Sequence, residues 1–143
     1  MRTLLRLRRN QSGSTIVEFA LLAPVLITMM AGVFQVGVLV QNYNAMRSVG
    51  ADIARHTMIQ FTIGQPMTND AMQDYTKSVA EAAPYFMSDS RLDVAVASVA
   101  SPQVANTIEK TLTITYRAPS LVEGLGLRAP AISYSRPIIV TNS

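Results

Sequence analysis

Between Phe19 and Val40 the chain reads FALLAPVLITMMAGVFQVGVLV, 22 residues without an ionisable group. As an α-helix such a run reaches about 33 Å, against a bilayer hydrocarbon core of about 30 Å. The length is right for crossing a membrane once. Composition points the same way. With 49% apolar and 15% charged residues, the 143-residue chain is too apolar for a disordered protein and low in charge for a wholly water-solvated one. A cleavable secretory signal is the competing reading of a basic start followed by an apolar run. Its apolar region should hold only about 7–15 residues and end in a small-x-small site. This run is longer, and no Ala-x-Ala follows it.

Charge sets the direction of insertion. Arg2, Arg6, Arg8 and Arg9 all precede Gly13, with no acid among them, whereas beyond Gly13 there are 8 basic and 9 acidic residues. A basic tail leading into an apolar span is a topology signal: the N-terminus stays in the cytoplasm and the remaining hundred or so residues are exported. The net charge of +3 is therefore no sign of a nucleic-acid partner, which would need basic residues spread over a folded face. The absence of cysteine rules out disulfides and thiolate metal sites and leaves the redox compartment open.

Periodicity divides the chain. Tyr43, Met46, Val49 and Ile53 recur at helical spacing beyond the span, which predicts one helix from about Thr15 to Met58 with a kink or melted turn at Pro24. Gly64 and Pro66 break it. Thr68 or Asn69 can cap a second helix with Met72, Tyr75 and Val79 as its apolar positions, stopped at Pro84. The period then falls to two. Leu92, Val94 and Val96, then Leu112, Ile114 and Tyr116, then Ile132, Tyr134, Ile138 and Val140 alternate with polar or small residues. Three half-buried strands imply a small antiparallel sheet with one wet face and one face covered by the helices. Pro137 places the last strand at an edge or at a bulge, and PSLVEGLGLRAP is a longer loop. The fold class is α+β. The boundaries are a leader at 1–13, a transmembrane helix at 14–40, an exported helical region at 41–84 and a sheet region at 85–143.

Catalytic chemistry has little to work with. There is one histidine, no cysteine and no carboxylate pair in a recognisable motif, so no catalytic set, metal site or cofactor site is assigned. His56, four residues after Asp52, reads as a solvated or interface histidine. Gly32 and Gly37 are five apart, which is not the Gly-x-x-x-Gly dimer spacing. The eight methionines read as lipid-facing or core residues.

Glu18 stands out. A carboxylate near the end of a span costs less than the ~2.5–3.5 kcal/mol at a helix centre, yet it still calls for a partner. The plainer alternative is an acid at headgroup level, favoured by the helix dipole. A short basic leader ending in glycine, followed by a hydrophobic helix whose fifth residue is glutamate, resembles a type IV prepilin signal. Gly13 would be the last leader residue, Ser14 the first mature one and Glu18 the fifth; Ser14 departs from the usual first phenylalanine. The Glu18-Phe19 pair, EFALLAPVL and AMRSVGADIARHTM are similar to the TadE-like pseudopilins of tight-adherence (Flp) pilus systems.

That resemblance implies several things. The chain is a substrate of the membrane-embedded aspartic prepilin peptidase, which cuts between Gly13 and Ser14. The freed Ser14 amine lies one helical turn from Glu18, and the two can pair within one chain or between neighbours. The product is a minor pilin or pseudopilin of the inner membrane, acting with other pilins and the tight-adherence assembly machinery in building or initiating an adhesive pilus. Two readings remain beside it: an unprocessed signal-anchored protein whose exported domain binds or scaffolds a partner, and a minor pseudopilin of a type II secretion system.

Overall fold

In the computed structural model the first element is a 51-residue helix, α1, Ser12–Thr62. The structure describes residues 12–120 and 130–141. The leader arginines and most of the expected loop in PSLVEGLGLRAP lie outside the described residues, as do the side chains of Ser12 and Ser14. α1 extends beyond the expected Thr15 and Met58 at both ends. It stops where Gly64 takes φ +74°, a left-handed conformation that glycine adopts without strain. Gly64 N–H donates to the Phe61 carbonyl at 3.1 Å and Gln65 N–H to that of Gln60 at 2.9 Å, which occupies carbonyls the helix end leaves open.

The chain divides into two units, Met1–Val36 and Gly37–Ser143. The first consists, in its described part, of α1 alone. Pro24 sits within it, and the helix continues on both sides with no melted turn. Thr28 Oγ1 donates to the Pro24 carbonyl at 2.7 Å.

In the second unit the rest of α1 is joined by α2 (Asn69–Glu81), a 3-10 turn at Asp89–Arg91, and strands β1 (Leu92–Ser98), β2 (Thr107–Arg117) and β3 (Ala131–Thr141). Thr68 caps α2 by accepting from the Ala71 N–H at 3.2 Å. The sheet is an antiparallel meander in the order β1-β2-β3. Its register sets Val94 beside Ile114 and Val96 beside Leu112, with Ile114 beside Tyr134 on the other flank. These residues share the covered face, against Met46, Val49, Ile53 and Ala54 of α1 and Met72 and Ala80 of α2. On the opposite face the hydroxyls of Thr113 and Ser135, and of Thr115 and Ser133, meet at 3.2 Å. Pro137 lies opposite Thr111 on β3, an edge strand, and the alternation of burial passes through it unbroken. It marks an edge and no bulge.

Two helical stripes differ from expectation. Met46, Val49 and Ile53 are fully buried, but Tyr43 stands at the rim with its ring edge-on to Tyr134, centroids 6.0 Å apart. On α2 the buried positions are Met72, Thr76 and Ala80, with Tyr75 and Val79 only partly covered. Thr76 is tolerated there because its hydroxyl donates to the Met72 carbonyl at 2.6 Å. Tyr75 instead stacks on His56, centroids 4.3 Å apart.

Candidate functional site: α1 and the surface beside it

The first unit presents apolar surface in every direction. Ile16, Phe19, Leu21, Val25, Met29, Val33 and Phe34 are each 56–73% open. Among the described residues, nothing covers them. A helix this long and apolar meets the length and composition for a membrane span. One such helix fits a single-pass anchor.

The residues singled out in the sequence share this helix. Gly13 and Ser14 lie in the first turn of α1, and Glu18 follows Ser14 by four residues, on the same face. Glu18 and Phe19 are both exposed, and because successive helical residues project about 100° apart they leave the helix in different directions. Glu18 lies six residues after Ser12, the first described residue of α1. Pro24 lies six residues on.

Further along α1, the sequence reading missed a cluster of contacts. Tyr85 donates to Asp52 Oδ2 at 2.8 Å, and that hydrogen bond, ahead of desolvation and the carboxylate's charge, raises the phenol's pKa above its ordinary value. His56 Nε2 meets Gln60 Nε2 at 3.3 Å while its ring lies on Tyr75, so this histidine serves packing. Lys110 reaches along the covered face of the sheet to donate to the Met67 carbonyl at 2.6 Å, and burial lowers its pKa. A cleft of about 400 Å³ is lined by Asn44, Arg47, Ser48 and Ala51 of α1 with Tyr134 and Arg136 of β3. Gly50 passes under the Tyr134 ring. Phe86, in the turn after α2, combines φ 47° with 75% exposure. Its only trace in the sequence is the unpatterned apolar group Tyr85-Phe86-Met87 after Pro84.

The family described as TadE-like protein matches residues 13–55. No curated protein and no solved structure matches the chain. The matched segment opens at Gly13, contains Glu18 and the whole uncovered apolar run, and ends at Arg55 on the part of α1 that packs over the sheet.

Proposed function

We propose, from the match of residues 13–55 to the TadE-like family, that the chain is a pseudopilin of the tight-adherence type, a minor pilin acting in the assembly or initiation of a tight-adherence pilus. The observation that carries this reading is the coincidence of the family match with a helix that leaves its apolar side chains open from Ile16 to Val36. Such a helix has two uses in sequence, first as a bilayer anchor and then as a surface that packs against other pilin helices. The protein acts by packing, and carries out no chemistry of its own.

In this account prepilin peptidase removes residues 1–13, and residues 14–40 span the inner membrane with the N-terminal side cytoplasmic. The helical region at 41–84 and the sheet region at 85–143 are then displayed outside it. The arginine bias before the span supports that orientation. A periplasm-dependent reporter fused after Ser143 is expected to be active; a stable but inactive fusion would reverse the topology.

Glu18 is assigned to docking. It pairs with the new Ser14 amine, in the same chain or a neighbour, in a poorly solvated layer where an isolated charge is costly. Phe19, about 100° round the helix from it, supplies apolar contact to a neighbouring helix, and Pro24 gives the span a bend that neighbouring helices accommodate. Replacing Glu18 with Gln keeps the shape and removes the charge. In a piliated host the Glu18→Gln strain is expected to lose piliation and partner co-purification while leader removal, scored by gel shift, continues. Normal piliation would remove the pairing role, and failure of cleavage as well would make Glu18 a recognition element for the peptidase.

A further inference from the structure

Phe86 occupies a position that a large side chain ordinarily avoids. Its φ of 47° lies in the left-handed region, disfavoured for a bulky residue, and 75% of its surface is open. Both neighbours are tied down. Tyr85 bonds to Asp52, while Met87 donates its N–H to the Ala80 carbonyl at 2.9 Å and buries its side chain in the core. Phe86 N–H itself donates to the Ala82 carbonyl at 3.1 Å. The turn therefore holds a strained aromatic out in solvent, where it adds little to the chain's own packing. Acids near it in the chain are Glu81 at the end of α2 and Asp89 three residues on, and Asp52 holds the neighbouring Tyr85; all three are exposed.

The complement of this knob is the cleft between α1 and β3. Tyr134 supplies an aromatic wall, Arg47 and Arg136 supply two guanidinium groups, and about 400 Å³ is ample for a benzyl group. Ser48, which lines the cleft, is one helical turn from Asp52, which holds Tyr85. Knob and cleft thus sit at the same level of α1.

We propose that two copies of this chain pair through this surface, Phe86 of each copy seated in the Arg47–Tyr134–Arg136 cleft of the other. Because both parts lie at one level of the same helix, a two-fold rotation about an axis parallel to α1 brings the two contacts into register together. That arrangement is parallel, as two copies inserted in one membrane in the same sense require. Guanidinium groups stack favourably on an aromatic face, and Asp52, Glu81 and Asp89 of one copy oppose Arg47 and Arg136 of the other. The inference stands on residues of the second unit and does not depend on leader removal or on the pilus.

Native cysteines are absent, so placed ones report without background. Two differently tagged full-length chains, one carrying Phe86→Cys and the other Ala51→Cys, are co-expressed and oxidised in membranes. The mixed disulfide is expected to be about tenfold stronger than for Phe86→Cys paired with Thr113→Cys on the outer sheet face, since bridging needs the Cα atoms within about 7 Å. Equal yields would overturn the pairing. Phe86→Gly separates docking from folding, because glycine suits φ 47°. Its thermal midpoint, measured in detergent at a dilution where native and variant proteins are both single chains, is expected to hold or rise, while co-purification of two tagged copies from membranes falls about tenfold. Undiminished co-purification, or a lowered midpoint that places Phe86 in the chain's own core, would defeat the proposal.

Discussion

The Tyr134 ring lies so close over Gly50 that a Cβ built on the glycine would stand 2.8 Å from Tyr134 Cε1. Two effects oppose each other at this position. Alanine in a helix is worth about 1 kcal/mol over glycine, whereas forcing an added methyl against a packed ring costs about 1–3 kcal/mol. Gly50→Ala is therefore expected to be neutral to destabilising in the native background. In a Tyr134→Ala background, with the ring gone, the same change should stabilise by about 1 kcal/mol. Denaturant unfolding of the four proteins in detergent closes the cycle, and a coupling of zero would show that the ring swings aside freely.

Ile53 and Thr57 test what the buried face of α1 contributes. Ile53 is fully buried among the sheet residues, and Ile53→Ala is expected to cost about 2–4 kcal/mol. Thr57 is 1% exposed, and its hydroxyl has no hydrogen-bond partner. Thr57→Val keeps the shape and removes the stranded polar group, so a gain of about 1 kcal/mol is expected. A loss on Thr57→Val, measured by thermal unfolding, would mean that the hydroxyl is satisfied in solution.

The Tyr85–Asp52 bond carries a pH signature. The phenol's pKa is raised above 10.0 in the folded chain, chiefly by this bond. A raised folded pKa lends stability that is complete below the unfolded value and is lost as pH climbs through the folded one. Tyr85→Phe is expected to cost about 0.5 kcal/mol at neutral pH, at the low end because the site is open to solvent. Above pH 10.0 the wild-type advantage should vanish as the phenol ionises beside the carboxylate. A gap that stays constant through that range would contradict the assignment.

These tests fall on features that differed in how legible they were. α1, α2 and the three strands follow from hydrophobic period, and Pro137 at an edge follows from its missing N–H; both signals are local. The choice of Thr76 and Ala80 over Tyr75 and Val79 as the buried face of α2 is not local, because it depends on where His56 of the other helix offers a ring to stack on. Gly50 and Tyr134 are 84 residues apart, and only the packing of α1 across β3 makes that glycine matter. Lys110 reads as an exposed charge until its long stem is seen lying along the covered face. At the N-terminal end, the Gly13, Ser14 and Glu18 spacing is legible through resemblance and helical geometry, while the roles proposed for them involve molecules outside the chain.

The central claim is that this chain enters a pilus system through its N-terminal segment, and the mature N-terminus tests it most directly. Intact-mass and N-terminal peptide measurement of the full protein, extracted from membranes of a host with an active prepilin peptidase, is expected to find a chain that begins at Ser14. A bulky residue in place of Gly13 should leave the precursor whole, because the extended substrate backbone must lie close in the peptidase groove. A native chain that retains residues 1–13 in that host would contradict the account and leave a plain membrane-anchored protein.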